Sequence, residues 1–363
     1  MKRKILLILN MAIIGFSTAA CSDDETNYIT PEKKYPLTAF AVAVNNVSAN
    51  TTSYYHGKID QTTHRVEIGT IEDANTITGV DYTLMSDGAT ISPDPATFVH
   101  NWKKEQTVTV TTEDNQTTTY TMKDVLFMDE FDVDGNPDPT KWVLCQKAGS
   151  DWNDEMSESY DQAYVKDGRL ILKAEKIGDE YKAGGIETQG KFDFTFGRVE
   201  VKAKITSYPN GAFPAIWMMP KKYIYDGWPN CGEIDIMEHV KQESAIHHTI
   251  HTHYTYDLNI KDPSNTAQVT CNYQDWNIYA LEWSEDKLTF FVNGQETFSY
   301  SNLKLENEAE MKQWPFTKDS SFYLILNMGL GGDRPGSWAG PIDDANLPAI
   351  MEIDWVKITK LDK

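Results

Sequence analysis

The chain has 363 residues, enough for a sizeable core and for more than one domain. Its 54 acidic residues outnumber 33 basic ones and give a formal net charge of -21. That balance argues against nucleic acid or an anionic membrane surface as a partner, because both need a basic field, and leaves a neutral ligand open.

The chain begins with Lys2, Arg3 and Lys4, then an apolar run from Ile5 to Phe16, then small residues before Cys21. The run is shorter than the roughly 20 residues of a membrane-spanning helix, so residues 1–20 read as a secretion signal. "TAAC" resembles the lipobox of bacterial lipoproteins, which implies cleavage and lipid attachment at Cys21. Residues 21–34 form a polar tether whose acidic start, "SDDE", resembles an export signal of surface lipoproteins. The expected location is the outer-membrane cell surface, with the membrane touched only through the lipid. Cys145, Cys231 and Cys271 remain, without a CxxC spacing, so a zinc or redox motif is unsupported and at most one disulfide is expected.

Residues 35–123 are rich in Thr, Val and Tyr. "TVTVTTEDNQTTTYTM", Thr107 to Met122, is two alternating runs around turn residues Glu113 to Gln116, a hairpin signal. With "YYHGKIDQTTHRVEI" it predicts a small immunoglobulin-like β-sandwich. It contains no catalytic constellation and reads as a stalk, with a glycan-binding module as the alternative.

Residues 124–363 change to many short strands with aromatic residues and glycine turns, such as "GRLILKAEKI", "FYLILNMGL" and "MEIDWVKI". "KLENEAEMKQW" is the best helical candidate. The pattern predicts an all-β chain, with a large jelly-roll β-sandwich following the small N-terminal one.

Within it, "CGEIDIMEH" sets three carboxylates in an apolar run. Alternation in a strand puts Glu233 and Asp235 on one face and Ile234 and Ile236 on the other. Glu238 would face the wrong way unless one extra residue, most simply Met237, forms a β-bulge. Carboxyls converging from such positions suit a retaining glycosidase, whose acid pair sits about 5–5.5 Å apart. An acid between them would raise its neighbours' pKa or share a proton with the nucleophile. Phe213, Trp217 and Trp228, just upstream, supply aromatic platforms for sugar rings.

"GEIDIME", with "FGRVEVKAKI" and "PAIWMMP" before it and "YALEWSEDKLTFFVNG", "FYLILNMGLGG" and "MEIDWVKI" after it, resembles glycoside hydrolase family 16, in its bulged, laminarinase-like branch. The resemblance runs from about Phe127 to the C-terminus. It implies Glu233 as nucleophile, Asp235 as its electrostatic helper and Glu238 as acid/base, with no cofactor for the chemistry. It further implies sugar contacts from Trp217, Trp228 and Arg198, the last in the "YGRVE"-like segment. Asn153 lies near the family's "NNE", from which this sequence departs after the first Asn. His251 matches the histidine of a "TVHT" strand. "DEF" and "EIDWV" resemble segments that form a structural calcium site, with Glu130 and Asp354 as its ligands.

The expected activity is endo-hydrolysis of β-1,3-glucan such as laminarin, with mixed-linkage β-1,3-1,4-glucan second. A galactan hydrolase acting on agar, porphyran or carrageenan, or a non-catalytic glycan-binding protein, are the alternatives. A further reading takes His247, His251 and His253, alternating on one strand, as a divalent-metal site.

Overall fold

A computed structural model describes residues 35–46, 51–62, 64–69, 76–98, 106–332 and 337–361. The signal segment, Cys21 and the polar tether lie outside the described residues. Residues 36–363 form one compact unit.

Its first part is a small β-sandwich. Strands Leu37–Asn46, Thr51–His56 and Thr76–Leu84 make one sheet. Opposite run Lys58–Asp60, Arg65–Gly69, Thr90–Ser92, Gln106–Thr111 and Thr117–Asp129. Phe40, Val42, Val66, Ile68, Val108, Val110, Tyr120 and Met122 fill the space between, the inward half of each alternating strand. The predicted hairpin is present: Thr107 pairs with Thr121 and Thr111 with Thr117, and the Thr112 amide donates to the Gln116 carbonyl across the turn.

The strand Thr117–Asp129 does not stop at the boundary expected between residues 123 and 124. Its first part pairs with the hairpin partner and, in parallel, with Arg65–Gly69. Its last part, Val125 to Asp129, pairs with Val356 to Thr359 of the larger sandwich. The Lys357 ammonium bridges Glu67 at 2.9 Å across the same seam.

The larger sandwich has two sheets. The back sheet orders Ala163–Val165, Leu170–Ile177, Ala349–Thr359, Gly197–Ser207, Asn277–Trp283, Lys287–Val292 and Gln295–Ser301. The front sheet orders Val143–Leu144, Glu180–Glu187, Ser321–Leu330, Ala212–Lys222, Glu233–Glu238, Ala245–His251 and Thr266–Thr270. Glu180–Glu187 belongs to both, pairing first with the back sheet and then with the front. It turns at Gly184, where a Cβ would stand 1.9 Å from the Gln162 carbonyl oxygen, so only glycine fits.

Ile216, Met218, Ile234, Leu324, Leu326 and Met328 from the front meet Val199, Val201, Leu281, Trp283, Phe290 and Ile353 from the back. Each such large side chain, fully buried, contributes about 1.5–3 kcal/mol. Helix is scarce, as the sequence predicts. "KLENEAEMKQW" yields one α-helical turn, Glu308–Met311. Cys145, Cys231 and Cys271 are all free thiols.

Candidate active site

The acidic strand Glu233–Glu238 begins after Gly232, whose φ of 87° belongs to the left-handed region. A Cβ there would lie 2.7 Å from Pro315 and 2.9 Å from Phe316, so both backbone and packing require glycine at the entry. The strand then alternates as expected until the bulge. Asp235 faces Thr249 and Glu238 faces His247, so three steps on this strand match two on its neighbour. The extra residue lies within Ile236 and Met237, both fully buried in the core. Sending two successive apolar side chains inward returns Glu238 to the outer face beside Asp235.

A residue not singled out from the sequence pins this bulge. His248 is fully buried; its Nδ1 donates to the Ile236 carbonyl at 2.6 Å, and its Nε2 accepts from the Thr297 hydroxyl at 2.9 Å. Burial pushes its pKa down to about 4, which keeps it neutral. The signal available in the sequence was "HH": alternation that turns His247 outward necessarily turns His248 toward the core.

On the outer face the three carboxyls share a poorly solvated site. Asp235 is 1% exposed and Glu238 9%. The Trp228 indole Nε1 donates to Glu233 Oε2 at 2.8 Å. Burial pushes Glu233 up to about 7 against the hydrogen bonds from Trp228 and Asp235. Burial also pushes Glu238 up to about 8, with the Glu233 charge adding to it and a Thr249 hydrogen bond opposing it. Asp235 is raised well above the carboxylate range by burial and then by the charges of Glu238 and Glu233. Three carboxyls this close cannot all ionise at neutral pH. The consistent arrangement keeps a proton on Asp235, directed to Glu233, and another on Glu238. One carboxylate is then ready to attack and one acid ready to donate.

The aromatic positions divide. Trp228, 46% exposed, lies open beside the acids, edge-on to Tyr256 at 4.6 Å. Trp217 sits across from Asp235 but is 6% exposed, its indole donating to Asn327 Oδ1 at 2.7 Å and its ring edge-on to Trp152 at 4.8 Å. Phe213 faces the same side, yet it is covered in a small cluster with Val240, Ala339 and Trp338, so it supports the surface rather than offering an open platform. Tyr256, Trp152 and Asn327 were not singled out from the sequence, because loop and cross-strand neighbours carry no local pattern.

His251 is at the site: its Nε2 lies 3.5 Å from Asp235 Oδ2 and 3.8 Å from Glu233 Oε1, and burial pushes its pKa down to about 4. The three-histidine metal reading is not supported. His247 pairs with Glu243 at 2.7 Å and His253 with Asp257 at 2.7 Å, because the strand ends at His251 and a single π-helical turn carries His253 away. Among the described residues, one group could converge on a cation: Glu233, Asp235 and His251.

One other expectation is corrected. Arg198 lies on the back sheet, where Val199 points into the core and Arg198 therefore outward, ion-paired with Glu282 at 2.9 Å and Glu200 at 3.0 Å. The sandwich separates it from the acids. Glu130 is ion-paired with Lys58, and Asp354 with Lys202 at 2.8 Å. Both carboxylates are thus held by lysines here. Asn153 is buried in a loop and spends its side-chain oxygen on the Ser150 amide at 3.1 Å.

Residues 148–357 match the family described as glycosyl hydrolases family 16. The chain belongs to that family. Residues 1–131 match a domain of unknown function, DUF4971. The family 16 part is 38% identical over 244 residues to a keratan-sulfate endo-1,4-beta-galactosidase of Sphingobacterium multivorum, covering 66% of this chain and 55% of that protein. The chain thus spans about half that relative's length. A solved structure from work on endo-acting O-glycanases of the human gut microbiota that initiate mucin breakdown matches with a TM-score of 0.58 and 36% identity, over 66% of this chain and all of that one. The laminarinase from Rhodothermus marinus matches with a TM-score of 0.57 and 30% identity, over 65% of this chain and 96% of that one.

Proposed function

We propose that the protein is a retaining endo-β-glycanase that cleaves β-1,3-glucan, and mixed-linkage β-1,3-1,4-glucan to a lesser extent. The observation that carries the glycanase part of this reading is the bulge at Ile236 and Met237, which gathers Glu233, Asp235 and Glu238 on one face of one strand, and likeness to the laminarinase supports the glucan part. Glu238 protonates the leaving oxygen while Glu233 attacks the anomeric carbon and forms a glycosyl-enzyme; Glu238 then takes a proton from water, which releases the sugar. Asp235 holds the shared proton that keeps Glu233 aimed. Trp228 fixes a Glu233 oxygen and offers an exposed ring to the sugar beside it. The carboxyls carry both steps and ask for no cofactor.

A second reading, hydrolysis within a galactose-containing glycan, is favoured by the 38% identity to the keratan-sulfate galactosidase, above the 33% to a beta-glucanase of Rhodothermus marinus. Product analysis with laminarin, barley β-glucan, keratan sulfate and agarose decides between them. Short oligosaccharides from laminarin support the first reading. Cleavage of keratan sulfate or agarose alone moves the substrate to the second, and binding without cleavage of any makes the protein a glycan binder. Attachment through Cys21, with residues 35–123 as a stalk beneath the hydrolase, would place the site at the cell surface.

A further inference from the structure

A fourth carboxyl lies on the outer face of the front sheet, away from the acidic strand. Glu187 ends its strand with Ile186 turned into the core and its own side chain turned outward. The register places it in one cross-strand row with the catalytic group: Asp235 faces Trp217, Trp217 faces Ile325, and Ile325 faces Glu187. Three strand spacings put it about 14 Å from Asp235, beyond the sugar ring being cleaved.

Glu187 is 7% exposed, and among the described residues no hydrogen bond or ion pair holds it. Although the side chain is mostly covered, its carboxyl oxygens are not among the sealed polar atoms that lack a partner, so they open to the outer face, where a ligand can meet them. Its surroundings are polar on one side. The Tyr323 hydroxyl is close enough to feel its charge and accepts from Gln189 Nε2 at 2.8 Å, and the Cys145 thiol also faces it. Burial alone pushes Glu187 up to about 7, as expected where nothing compensates the charge. The facing thiol and phenol are both driven well above their ordinary ranges, chiefly by burial, so neither ionises near neutrality.

We propose that Glu187, with Tyr323 and Gln189, forms a subsite that holds an uncharged sugar through hydroxyl hydrogen bonds and rejects a sugar carrying sulfate or carboxylate there. This rests on the glycanase reading. Hydroxyl donors from the sugar supply the bonds that the protein leaves unmade. An anionic substituent meets a like charge where little water screens it, which discriminates by repulsion. Tyr323, 8% exposed, forms the wall beside Glu187 rather than an open platform, and Gln189 fixes its hydroxyl.

The test compares laminarin with chemically sulfated laminarin, and desulfated keratan with keratan sulfate, using the wild type, Glu187→Gln and Glu187→Ala. In the wild type kcat/KM favours the neutral member of a pair at least ~10-fold, about the discrimination worth 1.4 kcal/mol. The preference grows as the pH rises through about 7 and Glu187 ionises. Glu187→Gln, nearly isosteric, flattens that pH dependence, and Glu187→Ala narrows the preference mainly through KM. Calorimetric binding of the same pairs to Glu238→Gln protein repeats the comparison without turnover. Loss of all cleavage by the wild type overturns the hydrolase reading alone; a neutral-to-sulfated binding ratio unchanged by loss of the Glu187 carboxylate overturns the subsite.

Discussion

In the proposed mechanism Glu238 serves as general acid at neutral pH because its surroundings refuse its charge. Burial and the Glu233 charge hold its pKa near 8, so the proton to be donated is still present. Glu238→Gln should lower kcat by about 10²–10⁴-fold, the usual contribution of a positioned acid. Azide, a nucleophile that needs no general base, should restore part of the rate with an activated aryl glycoside substrate; no rescue would remove Glu238 from that role. Asp235→Asn should also slow the reaction, since an amide cannot pass a proton to and from Glu233. The same pKa values fix a sign for stability. The folded protein binds protons at Glu233 and Glu238 that the unfolded chain releases above about pH 4.5. Their stabilising contribution is therefore full below that pH and is lost as pH rises through about 7 to 8. Thermal melts should fall over that window in the wild type and fall less in the Glu233→Gln, Glu238→Gln double variant; equal slopes would contradict the assignment.

The acid strand shows what was legible in the sequence. The alternation of Glu233, Ile234 and Asp235 gave the face, and the odd spacing to Glu238 demanded an inserted residue. The structure distributes that insertion over Ile236 and Met237 rather than placing it at Met237 alone. Partners of the bulge were not legible, because His248 and Thr297 meet it from elements far along the chain. Arg198 failed for a related reason: a local motif indicates a strand but not which sheet it joins. Two changes test the element. His248→Ala should free the Ile236 carbonyl, relax the bulge and lower kcat more than it raises KM, although His248 lies beneath the site. Gly232→Ala should cost about 1–3 kcal/mol of stability, because the left-handed backbone and the Pro315 contact both oppose a methyl group. A melting temperature like that of the wild type would contradict that local geometry.

For the whole molecule, the strand Thr117–Asp129 joins the small sandwich to the hydrolase as parts of one sheet, not as beads on a tether. Composition marked a change of texture near residue 124 but could not reveal a strand shared across it. A chain beginning at residue 124 would lose the parallel pairing with Arg65–Gly69 and the Lys357 bridge to Glu67. It should melt several degrees lower, at about 2–4 °C per kcal/mol for a domain of this size. An unchanged melting temperature would mean that the seam contributes nothing. The central claim is that Glu233 and Glu238 act in double displacement, and proton NMR of the first-formed product from whichever polysaccharide is cleaved tests it most directly. The β-anomer should appear first and the α-anomer only later by mutarotation, whereas an initial α-anomer would contradict the mechanism.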